Sequence, residues 1–346
     1  MSKDEKVTFV KTDIDKKNGQ DKCPKCGSTE IIPGKNPGEL TCTFCRFTYS
    51  VEKLDGLVED LDKLSGKVVT SGVSKIDRDA GTIVTLKCDS CGAEVVIDTA
   101  SEMQKRCHWC RSTLSLNAQV PNGAVPDVIL PFSISIEDAK ASIEKFVNKR
   151  KFYAYPKFKE EFNVNNIMGV YFPYMLVDIN AHANFKGEGE HQIRWYTVKV
   201  GDRTETRYDA ELYHIERDFD ILINDLSIES NSDRLETDSR DKTNNIINSI
   251  MPFDTENCIK YNSNFLRGYT SEKRDIDVEE ITPKAYEEAK DIARFAANDT
   301  LKNYDRGVRW DHEVLDVKGE QWSSAYLPVW LYSYQQVSVE QVSING

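Results

Sequence analysis

The first third of the chain contains the same four-cysteine block twice. Each block consists of two CxxC pairs with fifteen residues between the pairs. The eight cysteines are Cys23, Cys26, Cys42, Cys45, Cys88, Cys91, Cys107 and Cys110. A shift of 65 positions also superimposes Gly27 on Gly92 and Arg46 on Arg111. The two blocks are therefore an internal repeat.

The spacing within each block fits tetrahedral metal coordination. Two thiolates separated by two residues hold one metal ion from a tight turn, and a second turn completes the ligand set. The fifteen residues between the turns are enough for a short hairpin, and a unit of this kind is a zinc ribbon. We therefore predict two zinc ions, each bound by four cysteines.

Four cysteines fill all four positions of a zinc ion and leave none for water or substrate, so both predicted sites are structural. Redox use of a CxxC pair is the rival interpretation. That motif follows a strand and opens a helix in a βαβ unit, and no such pattern surrounds these pairs. His108 could replace a sulfur ligand in principle, but we expect a solvated turn residue. Cys258, the ninth cysteine, is expected to be a small buried hydrophobic residue.

Composition favours a folded chain with more than one domain. The 346 residues are 39% hydrophobic and 29% charged, with 15 Tyr and 14 Phe. The N-terminal residues lack the apolar region of a signal peptide, and no segment reaches the roughly 20 apolar residues of a membrane span. We expect a cytoplasmic protein without a transmembrane segment, and any location at a membrane would depend on a partner.

The net charge of −12 disfavours nucleic acid as the partner. Neutralisation of phosphates by basic side chains supplies most non-specific affinity for nucleic acid, and an acidic chain repels them. Four aromatic residues of the two blocks are better suited to a protein partner, which would bury them as anchors. These residues are Phe44, Phe47, Tyr49 and Trp109. The alternative is that the rings cover the thin cores of the ribbons themselves.

The sequence divides into five predicted segments. They are a flexible N-terminal tail (residues 1–20), zinc ribbon 1 (21–51), an amphipathic connector (52–66), zinc ribbon 2 with a hairpin (67–120) and an α+β body (127–346). The predicted hairpin covers residues 67–88 and turns between Asp79 and Gly81. It would build the second ribbon into a larger sheet, whereas the first ribbon would swing more freely on the tail.

The body is predicted to contain two long helices and an antiparallel sheet. The first helix follows Ser135 as N-cap, with Asp138 at the capping-box position and Ala139 on its apolar face. The second begins at Thr282 and Pro283 by the preferences of the N-cap and N1 positions. The β-rich segments 169–189 and 193–219 supply the sheet, and residues 325–334 form a buried strand. Residues 229–245 are polar and are expected to be a loop or a solvated helix.

A weaker repeat suggests that the body is a pseudo-duplicate. "ILPF", ending at Phe132, recurs as "IMPF", ending at Phe253, and "YFPYMLVD" from Tyr171 recurs as "YLPVWLYS" from Tyr326. The alternative is that strands with aromatic residues and proline are common at sheet edges. Both interpretations stay open.

Several segments resemble one bacterial family. The two cysteine blocks occur together with "TSGVSKID", "CHWCRSTLS", "LPF", "YFPYMLVD", "FLRGYTSEKRD" and "LPVWLYSY". In this combination the chain resembles the TFIIB-type zinc ribbon-containing proteins, from the first block to the end. Relatives are often labelled primosomal helicase-like, but the chain has no GxxxxGK[ST] loop. Some similar proteins are encoded beside phage-shock and membrane-stress components, so the resemblance implies an adaptor in such an assembly.

The sequence favours an adaptor over an enzyme. The five histidines do not have HxxxH spacing, and neither a GxSxG motif nor a phosphate loop occurs. The segment 265–275, "FLRGYTSEKRD", mixes charged and aromatic residues, and we favour a salt-bridged surface loop over a binding site there. We therefore expect a non-enzymatic zinc-binding adaptor whose ribbons contact protein partners, including membrane-associated stress proteins. A nucleic-acid-associated factor of replication or transcription is the alternative.

Overall fold

A computed structural model provides the architecture of the protein. It describes residues 7–10, 22–54, 60–74, 83–88, 90–91, 93–98, 106–114, 119–120, 125–150, 156–232 and 251–333. The described part is a mixed α/β structure that consists mostly of sheet, with few helices. None of its helices is long and apolar enough to cross a bilayer.

Fourteen strands and four α-helices are described. The strands are β1 (Val7–Val10), β2 (Ile31–Pro33), β3 (Glu39–Cys42), β4 (Thr48–Ser50), β5 (Gly66–Thr70), β6 (Ile83–Lys87), β7 (Glu94–Asp98), β8 (Gln119–Val120), β9 (Val128–Ile129), β10 (Met168–Val200), β11 (Arg203–Glu229), β12 (Ile259–Lys260), β13 (Thr270–Glu272) and β14 (Val308–Leu331). The α-helices are α1 (Ser71–Ser74), α2 (Ile136–Lys149), α3 (Pro156–Glu161) and α4 (Val278–Asp299). Short 3₁₀ turns lie at Leu61–Lys63, Val164–Asn166, Thr255–Asn257 and Ser263–Leu266.

Eleven of these strands form one sheet around the long strands β10, β11 and β14. The main path runs β1-β5-β14-β10-β13-β7-β6-β8, with β11 beside β10 and with β9 and β12 joined to β14. Strand β10 pairs antiparallel with both β11 and β14. The antiparallel sheet predicted for the body is therefore confirmed. Parallel pairs, such as β5 with β14, add to it.

Helix α4 covers one face of the long strands. Its buried alanines recur every four residues at Ala285, Ala289, Ala293 and Ala297. Small side chains at this spacing form a stripe along one side of the helix and let it approach the sheet closely. Ala285 and Ala289 belong to a core with Met175, Ile179 and Trp322 of the sheet, and Ala293 and Ala297 belong to a core with Phe185.

Helix α2 begins where the sequence predicts. The backbone N–H of Asp138 donates to the hydroxyl of Ser135 at 3.1 Å, so Ser135 is the N-cap residue. Ala139 is buried, but Phe146, seven residues further along the helix, is exposed. The capping prediction is confirmed, and the helix buries little of its apolar face.

The predicted start of the second long helix is wrong. Helix α4 begins at Val278 with Asp277 as N-cap, so Pro283 lies inside the helix rather than at its first position. The Thr282 hydroxyl donates to the carbonyl of Val278 at 2.6 Å instead of capping. Burial of Val278 and Ile281 against the sheet extends the helix toward its N-terminus and overrides the local signal.

The predicted hairpin over residues 67–88 is also wrong. Strand β5 pairs with β1 and β14, whereas β6 pairs with β7 and β8. Four strands lie between β5 and β6 along the path β5-β14-β10-β13-β7-β6. The predicted turn, Asp79 to Gly81, lies outside the described residues. Alternating residues identify strands correctly, but they do not identify the partner strand.

The first cysteine block is packed against the body, so the expectation of a freely swinging unit is wrong. Its strands β2, β3 and β4 form a separate three-stranded sheet. Ile31 and Leu40 of that sheet are fully buried in a core that also contains Ile129, Tyr171 and Phe265. Burial of this apolar face holds the block in place. The second block does belong to the larger sheet, through β6 and β7.

The remaining segment predictions are only partly covered by the described residues. Val7–Val10 of the predicted tail form β1, and Leu64 of the predicted connector is buried. Most of residues 229–245 lie outside the described part. The two segments of the weaker repeat are neighbouring strands, with Tyr171 opposite Pro328 and Pro173 opposite Tyr326. The pseudo-duplicate stays a prediction.

Candidate metal centres

The four CxxC turns share one backbone hydrogen bond. In each turn the N–H of the first cysteine donates to the carbonyl five residues later, at 2.8–2.9 Å. The pairs are Cys23 with Ser28, Cys42 with Phe47, Cys88 with Ala93, and Cys107 with Ser112. The repeat seen in the sequence is therefore also a repeat in local structure.

The residue after three of the CxxC pairs has a left-handed backbone, and the residue after the fourth, Gly92, lies outside the described residues. Gly27, Arg46 and Arg111 have φ angles of 74°, 58° and 64°. The N–H of each donates to the carbonyl of the first cysteine of its turn, at 2.8–2.9 Å. This conformation is unfavourable for arginine by about 1–2 kcal/mol, so the turn imposes it. The bend brings both cysteines of a pair to one side.

The eight thiols form two groups of four. Within each group all four sulfur atoms lie within 4.8 Å of one another. The Sγ–Sγ distances are 3.6 Å for Cys23–Cys45, 3.7 Å for Cys26–Cys42, 3.4 Å for Cys88–Cys110 and 3.7 Å for Cys91–Cys107. A disulfide would need about 2.05 Å. Four sulfurs at about 2.3 Å from one ion would be about 3.8 Å apart. Each group could therefore hold a metal ion.

Burial follows the same order in both groups. The first cysteine of every pair, Cys23, Cys42, Cys88 and Cys107, is buried. Cys26 and Cys91 are exposed, and Cys45 and Cys110 are half-buried. An ion in either group would lie near the protein surface, between two buried cysteines and two that are exposed or half-buried. The prediction that all eight cysteines are ligands concerns contacts to an ion and stays a prediction.

The surroundings lower the pKa of some of the thiols and raise the pKa of others. Hydrogen bonds from the backbone N–H groups of Cys45 and Phe44 lower the pKa of Cys42 to about 6. Burial raises the pKa of Cys107 well above its usual range. Four thiolates cannot share such a small volume without a cation, because like charges repel. A divalent ion would remove this conflict and deprotonate the remaining thiols.

His108 is not the solvated turn residue that the sequence favoured. It is 1% exposed, and its Nε2 lies 3.0 Å from the carboxylate of Glu272 on β13. Trp109, expected to be an exposed anchor, is half-buried, and its indole N–H donates to the same carboxylate at 2.5 Å. The CHWC turn faces the body, and this contact buries the His108 ring and half of the Trp109 ring.

The segment 265–275 is not a surface loop, so that prediction is wrong as well. Phe265 and Leu266 are buried in the core, and Glu272 and Arg274 are buried too. The Arg274 guanidinium donates to the carbonyls of Ile276 and Val73 at 3.1 and 3.0 Å. The charged residues misled the prediction because partners such as Val73 and His108 are distant in sequence. They join the body to the second cysteine block and to helix α1.

Cys258 lies apart from both groups of thiols. It is half-buried and packs against a core cluster that contains Tyr174 and Leu176. Burial raises the pKa of its thiol to about 12. This environment agrees with the expected role of a small hydrophobic residue.

The fold and the thiols define a mixed α/β protein with two four-cysteine groups that could hold metal ions. No family model matches the chain. No solved structure matches it either. The chain is 26% identical over 225 residues to "Uncharacterized protein YdjG" of Bacillus subtilis (strain 168). The match covers 64% of this chain and 61% of that protein, so the chain spans less than two thirds of its length.

Proposed function

We propose that the protein is a non-enzymatic adaptor in which two structural zinc ribbons stabilise a body that binds a protein partner. The observation that carries the proposal is an exposed apolar arm formed by β10 and β11. The resemblance to TFIIB-type zinc ribbon-containing proteins supports zinc as the metal. It also favours partners among membrane-associated stress proteins.

The arm is the part of the β10–β11 hairpin that extends past the third long strand. β10 and β11 pair as far as Val200 and Arg203. The pairing of β10 with β14 ends earlier, at Gly189 and Val308. Residues 190–212 therefore form a two-stranded ribbon. A ribbon of two strands buries little of its own side chains.

Apolar side chains of the arm are exposed. Ile193, Trp195 and Leu212 are 59%, 67% and 61% exposed, and Trp195 lies opposite Tyr208 across the two strands. Exposed apolar side chains grouped on one ribbon are typical of a surface that another molecule covers. Tryptophan and tyrosine are enriched among the residues that dominate binding energy in protein interfaces.

The charges of the arm fit a protein better than a phosphate backbone. Arg194 pairs with Asp209 at 2.7 Å, and Arg207 pairs with Glu205 at 3.2 Å. These ion pairs neutralise the basic groups that would otherwise contact phosphates. Phe44 and Phe47 of the first ribbon are also exposed and offer a second contact surface.

The zinc ions have a structural role in this proposal. Four thiolates complete the coordination of each ion and leave no position for substrate or water. Metal binding supplies folding free energy to the cysteine blocks. The first block packs on the core around Tyr171, and the second is linked to β13 through Glu272. The metals would thereby also stabilise the body.

Affinity capture with chemical cross-linking tests the proposal. Tagged full-length protein should capture a membrane-stress protein, with cross-links to Lys199 on the arm. The double variant Trp195→Ala/Leu212→Ala should lose this partner. Phe295→Ala, at a 76% exposed residue of α4, is the matched control and should retain it. Capture that survives the double variant would refute the role of the arm. Capture of nucleic acid that weakens steeply with salt would favour the alternative function.

A further inference from the structure

A cleft of about 800 Å³ lies between the two cysteine blocks and the body. The loop after β2 contributes Lys35, and the second block contributes Arg106 and Arg111. The body contributes Arg267 and an aromatic wall. Small-molecule sites typically have volumes of about 300–1,000 Å³ and form where separate structural units meet. The cleft therefore has the size and position of a ligand site.

The charge of this cleft is opposite to that of the whole protein. Four basic residues line it, namely Lys35, Arg106, Arg111 and Arg267, and none of the described lining residues is acidic. The chain as a whole carries a net charge of −12. A recess lined by one sign of charge concentrates ligands of the other sign. The ligand is expected to be an anion.

Two of these arginines are held in place by the surrounding structure. The Arg267 guanidinium donates to the carbonyl of Thr29 in the first block, at 3.3 Å. The Arg111 guanidinium donates to the carbonyl of Ser333 and lies 4.7 Å from the centre of the Tyr332 ring. The Nε atom of Arg111 is buried and has no hydrogen-bond partner among the described residues. An anion in the cleft would offset this burial of positive charge.

The cleft is also lined by an aromatic wall, formed by Phe132, Tyr269 and Trp330. The Phe132 and Tyr269 rings stack with their centres 4.4 Å apart, and Trp330 lies 4.6 Å from Phe132. Gly169 makes this arrangement possible, because a Cβ atom there would lie 2.5 Å from a ring carbon of Tyr269. Aromatic rings of this kind favour a planar group on the ligand, through stacking.

From these two walls we propose that the cleft binds a nucleoside phosphate, with its base at the aromatic wall and its phosphate at the basic residues. Arginine suits the phosphate because its planar fork donates two parallel hydrogen bonds, and lysine adds a point charge. The site is independent of the arm, so it would give the adaptor a small-molecule ligand in addition to its protein partner.

Isothermal titration calorimetry of the full-length protein tests the proposal. The probes are the four ribonucleoside monophosphates, the corresponding nucleosides and inorganic phosphate. At least one monophosphate should bind, and its nucleoside and phosphate alone should each bind at least about tenfold more weakly, since each lacks half of the contacts.

Lys35→Glu and Arg106→Glu should each weaken binding by about tenfold or more. Arg203→Glu, at the exposed tip of the arm, is the control and should not change the affinity.

Each contrary outcome overturns the proposal. Absence of binding by every monophosphate up to about 1 mM would mean that the cleft is not a nucleotide site. Equal binding of phosphate alone would remove the role of the aromatic wall. Tighter binding of a single-stranded oligonucleotide would assign the cleft to nucleic acid. Lys35 and Arg106 are both exposed, so unchanged zinc content and circular dichroism should show that their variants are folded.

Discussion

The carboxylate of Glu272 accepts a hydrogen bond from the indole N–H of Trp109 at 2.5 Å, although 163 positions separate the two residues in sequence. His108 contacts the same oxygen at 3.0 Å. One carboxylate of the body thus holds two consecutive residues of the CHWC turn in the second block. This contact fixes the orientation of the CHWC turn, whose two cysteines belong to a four-cysteine group that could hold a metal ion.

Glu272→Ala should destabilise the protein without removing the metal. The change removes the carboxylate that both the indole N–H of Trp109 and the imidazole of His108 contact. We expect a loss of about 1–3 kcal/mol in the free energy of unfolding. Urea denaturation provides the measurement. Zinc content should remain at about two ions per chain, because all eight cysteines remain.

Glu287→Ala, at an exposed position of α4, is the control and should change stability by less than about 0.5 kcal/mol. Equal stability of the two variants would contradict the role of Glu272.

The purified protein should contain about two zinc ions per chain, as measured by elemental analysis. Cys88→Ser should reduce this to about one, because it removes a ligand from one group. Cys258→Ser should leave the content at about two, because Cys258 lies in a core cluster away from both groups. A lower zinc content in the Cys258 variant would show that the ligands are wrongly assigned.

Ala289→Leu should destabilise the contact between α4 and the sheet. Ala289 is fully buried against the core around Met175 and Trp322, so a larger side chain has no space. We expect a loss of about 1–3 kcal/mol in the free energy of unfolding, measured by urea denaturation. Ala296→Leu, at an exposed position of the same helix, should be nearly neutral. Similar effects at both positions would mean that α4 does not pack through its alanine stripe.

The free energy of unfolding of the variant Asp178→Asn, relative to that of the wild type, should increase as the pH rises. Burial raises the pKa of Asp178 to about 6, above the ordinary value of about 4 for an aspartate. Its folded-state pKa is therefore above the unfolded value, so the native state binds the proton more tightly. The stability that this proton provides is present below about pH 4 and is lost as the pH rises through about 6. Asparagine does not titrate and keeps a polar group beside the Asp225 N–H and the Gln321 amide.

The test compares urea denaturation of the two proteins at pH 4.5 and pH 7. The free energy of unfolding of the variant, relative to that of the wild type, should increase over this interval by at most about 3 kcal/mol. Asp305→Asn, at a position with an exposed carboxyl, serves as the control. A difference that stays constant with pH would show that Asp178 titrates normally in the folded protein.

The sequence by itself determined the features that depend on neighbouring residues. The repeated spacing of Cys23 to Cys45 and Cys88 to Cys110 dictates the turns, because each turn closes through hydrogen bonds within six residues. The Ser135 cap is local for the same reason. The β-rich segments 169–189 and 193–219 likewise predict the strands that β10 and β11 form.

Only the tertiary structure decided which distant segments meet. His108 and the segment 265–275 looked solvent-exposed because their composition is polar, yet burial against each other satisfies those polar groups. The start of α4 moved to Val278 because core burial outweighed the helix-start signal of Thr282 and Pro283. The basic cleft combines Lys35, Arg111 and Arg267 from three separate parts of the chain. No local spacing encodes that juxtaposition, since packing free energy alone brings the three parts together.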